Sequence, residues 1–453
     1  MSSKVLIMSR LAKTVARVRD AVQGYILQVP QPLLSRYVEL GIICCLFLMF
    51  PLGYLESFRW PLPPPKATHG ILKALVIVLG VLVFYSRSVL KNRQLIGEKI
   101  VSTLFLASFV LSSLFSLVPN TSLLFLWYPF IGWTILYTFS SIRFTKIHFS
   151  ILLSMMILLI TATFVFAFFS LMFRYEVDNI YYFLFQTERA RLLLNELRVS
   201  GKYVSLGPYI FLYPACMVFL IQLKSTFSRK MLSALVFVMV VLTAVISNNR
   251  IDILVVLLQS LVILWLLPRR SAVVLTLLAV PVIYLGLVTS QNYFGYNLIE
   301  RVFRPHVTRD KETVEMRFVY WQNALLNFRH HPILGTGPNS YNDVTDFPLR
   351  RYYDAGLKQY TVRPDVGIGI HNIFIERLAD TGIIGFVAFI MLLAYFVKTD
   401  FLRYFQYTGE RRKQYVLLAL SSWSWVLYGV TDNGYGAQGF VTFLFLRGVL
   451  KHV

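Results

Sequence analysis

About twelve apolar stretches, each near the ~20 residues a helix needs to cross a bilayer, follow one another along this chain. They fall approximately at 37–55, 69–86, 99–118, 121–141, 149–173, 204–223, 231–247, 250–267, 271–289, 374–397, 413–431 and 435–450. A chain so patterned has few folds open to it. In hydrocarbon every backbone N–H and C=O must be satisfied inside its own segment, which leaves helices. The expected class is all-α: a polytopic membrane protein of about 12 transmembrane helices. With 57% apolar and 15% charged residues, composition agrees.

Charge sets the orientation. With the N-terminus in the cytoplasm, Arg87/Lys91/Arg93, Arg143/Lys146, Lys224/Arg229/Lys230, Arg269/Arg270, Lys398/Arg403/Arg411/Arg412/Lys413 and Arg447/Lys451 all fall inside. That is the positive-inside pattern, and it predicts both termini in the cytoplasm. It also accounts for most of the excess of 44 Lys+Arg over 22 Asp+Glu, so nucleic acid is not an expected partner. Residues 1–36 are basic and lack a short apolar core before a small-residue cleavage site; they read as a cytoplasmic surface segment, not a signal peptide. Residues 37–453 then form one membrane domain, without internal repeats. Cys44, Cys45 and Cys216 lie in apolar spans and suggest neither a disulfide framework nor a zinc motif.

Only two outward connections, 174–203 and 290–372, are long enough to fold over the membrane, and short helices capping a cavity are expected there. Within the longer one, 312–329 reads as an amphipathic helix. At roughly 100° per residue Val314, Phe318, Trp321, Leu325 and Phe328 share a stripe, with Arg317 at its edge. Pro332 stops this helix, and Gly335-Thr-Gly-Pro-Asn-Ser-Tyr341 makes a tight loop. The segment closes on Gly367-Ile-Gly-Ile-His-Asn372, so that His371 stands just before the chain re-enters the membrane.

Three arginines and one histidine could carry chemistry. Arg250 begins a span at its outer end, against the positive-inside trend, with Asp252 two residues on; such intramembrane ionisable groups face a cavity or a partner. Arg198, beside Gly201 and Lys202 at the membrane surface, is a candidate anion contact. Each has a plainer alternative: Arg250 and Arg198 snorkelling to headgroups, Arg317 solvated beside Glu312 or Glu315, His371 an ordinary loop histidine. His306, His330, His331 and His371 share the loop without metal-ligand spacing, so no metal or other cofactor is expected. No nucleophile elbow or P-loop is present. Taken together, arginines at the outer surface can hold a diphosphate by bidentate, charge-assisted bonds. An imidazole, ordinarily titrating near pH ~6.5, can take a proton from a hydroxyl. Those are the parts needed to move a sugar from a lipid diphosphate to an acceptor hydroxyl.

Four pieces, in this order, resemble the bacterial O-antigen ligase and O-antigen polymerase superfamily: Arg198-Val-Ser-Gly201 before a span; Asn249-Arg250 opening one; Arg317-Phe-Val-Tyr-Trp-Gln-Asn-Ala-Leu325 followed by Pro332 to Tyr341; and His371-Asn-Ile-Phe-Ile-Glu376 followed by Asp380-Thr-Gly-Ile-Ile-Gly385. They span roughly 190 to 390. The segment after Gly201 lacks the family's usual Asn-rich continuation. The resemblance implies a GT-C-like fold with a helical periplasmic cap between spans nine and ten. It implies a metal-independent, inverting glycosyltransferase of the bacterial inner membrane that uses an undecaprenyl-diphosphate-linked glycan. Arg250 and Arg317 would bind the diphosphate and His371 would act on the acceptor. Arg198, Tyr341 and Asn372 would be further substrate contacts. The single dominant loop is more similar to that of the ligase, whose acceptor is lipid A–core. The polymerase, with a second lipid-linked glycan as acceptor, shares the motifs. A flippase or transporter of lipid-linked sugars is the alternative of another class; repeats and midplane charges would mark it, whereas charges here gather at the outer edge.

Overall fold

The computed structural model describes residues 96–141, 151–161, 164–165, 207–221, 226–247, 250–267, 311–345, 349–354, 359–364, 369–430 and 436–452, with isolated positions between 273 and 288. Residues 1–36, the expected spans 37–55 and 69–86, the loop 174–203 and Arg198 lie outside them.

Helices occupy most of the described chain. Ile96–Leu114, Gly207–Ile221, Thr226–Ser247, Arg250–Leu266, Gly409–Gly429 and Gly436–Val449 lie where spans were expected. The stretch read as one span at 121–141 is two helices, Pro119–Phe125 and Trp127–Ser141. Pro129, lacking an N–H, suits the first turn of a new helix better than the middle of an old one. The helix Ile373–Gln406 outruns the expected 374–397 and is broken at Gly382, whose φ of 62° and ψ of −166° are not helical.

Interior and exterior faces are both apolar. On Arg250–Leu266, Asp252, Val255, Val256, Gln259 and Ile263 are buried, whereas Leu254, Leu257, Leu258, Leu261 and Trp265 on the other face are exposed. On Ile373–Gln406 the exposed row is Ile383, Ile384, Val387, Ile390, Met391 and Val397. An apolar helix with such an outer face is at home in lipid, not water. Two helices are long and apolar enough to cross a bilayer, over Gly97–Leu114 and Ile373–Gln406.

The core is aromatic. Phe389 packs against Phe105 at 5.8 Å between ring centroids, Phe396 against Phe443 at 5.6 Å and Trp425 against Phe443 at 5.0 Å. At the end of the bundle away from His371, Asp400 accepts from Tyr415 Oη at 2.5 Å, Trp423 Nε1 at 2.6 Å and both terminal nitrogens of Arg447 at 2.7 Å. This four-donor knot compensates a buried ion pair that would otherwise be costly.

The long loop holds the expected helix, Lys311–His330, ending just before Pro332. Its packing differs from the stripe read by periodicity. Phe318 is 55% and Leu325 41% exposed, while Tyr320 and Ala324 are buried with Met316 and Trp321 beside them. The partners are Tyr341, Ile370 and Ala379, and they select a face turned by about 100° from the most apolar stripe, with Trp321 shared by both. The cap is not purely helical either. Leu349–Asp354 and Gln359–Pro364 pair antiparallel, Tyr353 opposite Tyr360 and Arg350 opposite Arg363. Tyrosines, Thr361 and Val362 favour strands over helix here.

Candidate functional site

Three glycines let the chain 331–341 pass through a gap too narrow for side chains. Gly335, Gly337 and Gly382 have φ of 71°, 108° and 62°. A Cβ on Gly335 would lie 2.4 Å from the Asp380 backbone, on Gly337 1.9 Å from Ser116 Oγ, and on Gly382 2.3 Å from the Ile333 carbonyl. Only glycine combines the left-handed backbone with this approach.

Backbone groups stitch the gap shut. Thr336 N donates to Ala379 O at 3.0 Å, Gly337 N to Asp380 O at 2.9 Å and Ile383 N to Pro332 O at 2.8 Å. The break at Gly382 makes this possible, because it frees carbonyls and amides that a continuous helix would use itself. From the other side Leu117 N and Ser116 Oγ both donate to Thr336 O, at 3.1 and 2.9 Å, and Ser112 Oγ to Asp380 O at 2.8 Å. Serines on helix Ile96–Leu114 and the turn after it therefore clamp the loop against the kinked helix.

This seam fixes the Arg317 helix to the His371 segment. Trp321, one turn after Arg317, donates its indole N–H to the carbonyl of Ile370 at 2.8 Å. Tyr341 is buried and donates its phenol to the carbonyl of Tyr320 at 3.0 Å. Burial pushes the Tyr341 phenol above its ordinary range, so it stays a protonated donor. His371 follows with φ of 56°, unusual for a side chain-bearing residue and a mark of a site held by its surroundings. Asn372 is extended and caps the next helix: its Oδ1 accepts from Phe374 N and Ile375 N at 3.0 Å each, while Nδ2 donates to Val430 O at 2.8 Å.

The sequence candidates thus divide. The structure brings Arg317, Tyr341, His371 and Asn372 into one neighbourhood. Arg317 and His371 are half-buried. Tyr341 and Asn372 commit their polar atoms to the scaffold in the bonds just given. Arg250 opens its helix, but its side chain lies outside the described residues, as does all of Arg198. Among the described residues no three His, Cys, Asp or Glu converge as metal ligands.

Two further groups at this end, Arg377 and the motif residue Asp380, were given no role from sequence. Arg377 lies over the Phe109 ring at 5.1 Å, bonds Glu376 at 2.5 Å and lines an aromatic cleft with Phe125, Tyr128, Trp425 and Phe440. Asp380, 1% exposed, accepts Asn339 N on Oδ2 at 3.2 Å. An ionisable residue in an apolar helix was the available signal for both. Chemically, the arrangement offers a guanidinium, an imidazole and further donors at one rim of the bundle, suited to an anion and a neighbouring hydroxyl.

Residues 234–390 match the family model described as O-antigen ligase. The matched range, about a third of the chain, contains Arg250, Arg317, Tyr341, His371 and Asn372, and over it the chain is similar to the O-antigen ligase family. An uncharacterised protein of Haemophilus influenzae is 25% identical over 140 residues, 28% of this chain and 33% of that protein. The chain thus spans about a third of the length of the curated relative it matches.

Proposed function

We propose that this chain, as a member of the O-antigen ligase superfamily, transfers a glycan from undecaprenyl diphosphate to an acceptor hydroxyl, with lipid A–core as the acceptor. One observation carries this reading: the Trp321–Ile370 bond holds the Arg317 helix against the turn that presents His371. The hydroxyl oxygen attacks the anomeric carbon as the C–O bond to the diphosphate breaks. His371 takes the hydroxyl proton, and the departing diphosphate keeps the bonding electron pair. Arg317 and Arg250, with Arg198 as a further contact, neutralise the leaving group by bidentate bonds. A single displacement of this kind inverts the anomeric centre and uses no metal. The fold that goes with it is the GT-C-like frame of twelve spans in one inner-membrane domain, 37–453, with both termini cytoplasmic and the cap 290–372 periplasmic.

Purified protein given a polyprenyl-diphosphate glycan and acceptor should form a glycosidic product, undiminished by EDTA. Arg317→Ala should lower turnover at least ~100-fold while the protein stays folded, since a preorganised charge at a leaving group contributes on that scale. Transfer by the variant at the parent rate contradicts the assignment, and movement of lipid across a liposome without product points to a transporter. In cells, deletion should leave polymer on the carrier lipid; single repeats on core would indicate the polymerase instead.

A further inference from the structure

Asp380 is a deeply buried acid, 1% exposed, nine residues after His371, and no step above uses it. Its Oδ1 is buried with no hydrogen-bond partner among the described residues, and its Oδ2 accepts the Asn339 amide. A carboxyl so placed costs stability that an apolar residue of the same size would not. What it gains is a grip on one point of the loop. Asn339 has a left-handed φ of 61°, which asparagine adopts more readily than most residues, and there its amide is turned to Asp380.

From Asn339 the connection runs both ways. Ser340 donates to Gly337 O at 2.6 Å and to Thr336 Oγ1 at 2.8 Å, which sets Tyr341. Tyr341 then bonds Tyr320, three residues from Arg317. In the other direction Asp380 shares a helical segment, 373–381, with the turn that presents His371. We propose that Asp380 is a positioning residue, whose side-chain bond to Asn339 sets the Arg317 helix against His371 in the geometry that transfer requires. This rests on the glycosyl-transfer reading and adds to it a role for a residue that touches no substrate. A misplacement of ~1 Å between groups that must act together is enough to cost about 100-fold in rate.

Two variants test it in the full-length protein. Asp380→Leu keeps the same number of side-chain heavy atoms, with somewhat more bulk, but cannot accept from Asn339. Asp380→Asn keeps an acceptor oxygen and replaces the other by a donor. With a polyprenyl-diphosphate glycan as donor, Asp380→Leu should stay folded and lose at least tenfold in kcat, its donor KM moving less than threefold. Asp380→Asn should recover at least a third of the parent rate. Normal turnover by Asp380→Leu overturns the proposal. So does an Asp380→Asn as inactive as the Leu variant, which would make the charge itself the agent. Failure of both variants to fold would reduce Asp380 to a structural group and overturn it too. Absence of product from the parent protein fails the glycosyl-transfer reading instead.

Discussion

His371 sits at φ 56°, where a residue with a Cβ costs about 1–3 kcal/mol unless its surroundings hold it. Asn372 does part of the holding, through the cap on one side and Val430 on the other. His371→Gly removes both strain and imidazole. The variant should therefore unfold at the same temperature as the parent or higher, bind the lipid-diphosphate donor and transfer nothing; loss of donor binding would make His371 a ligand, not a base. Gly337 behaves oppositely. Its added Cβ would meet Ser116 and Ser122, so Gly337→Ala should destabilise by ~3 kcal/mol or more, read as a drop in thermal midpoint. Arg317 and His371 could be picked out in the sequence because polar groups stand out against an apolar chain. The Gly335–Tyr341 loop could be seen as a turn, but not its reason, since Ser116 and Asp380 are distant in sequence. Tyr341 and Asn372 were legible as members of a motif, while their bonds to Tyr320 and Val430 were not.

At the scale of elements, periodicity found the helix Lys311–His330, and of its apolar stripe Trp321 packs inward while Phe318 and Leu325 do not. Phe318 and Leu325 are the more apolar choice, yet a helix in a cap rotates toward whatever packs on it, here Tyr341, Ile370 and Ala379. The break at Gly382 was equally hidden, because the apolar pattern runs through it without a change of phase and a mid-helix glycine is tolerated in membranes. The consequence is a short helical segment, 373–381, set off by the break from the longer helix that runs on to Gln406. Trp321 links the loop helix to the chain just before His371. Trp321→Phe keeps the ring and loses the bond to Ile370 O, which should lower stability by about 1 kcal/mol and kcat severalfold. Parent-like kcat would show that the ring alone sets the helix.

For the whole molecule, polar seams stand at both ends of an aromatic core among the described residues. One is the Asp400–Arg447 knot. The other is the seam of Ser112, Ser116, Gly337 and Asp380 beside His371, crossed by chain from opposite halves of the protein. The helical class was legible, because hydrocarbon permits little else, and two of the described helices, over Gly97–Leu114 and Ile373–Gln406, are long and apolar enough to cross a bilayer. The hairpin Leu349–Pro364 was not, since short strands in a polar loop carry no long-range signal. The Trp321–Ile370 bond sets the Arg317 helix against the turn that carries His371, and we propose that this guanidinium and this imidazole serve a single diphosphate site. A structure of the protein with a polyprenyl diphosphate bound tests it most directly. The Arg317 guanidinium should lie within ~3 Å of the diphosphate oxygens, with the His371 ring facing the same ligand; a diphosphate seated in another cavity, away from both, would rule out a shared site.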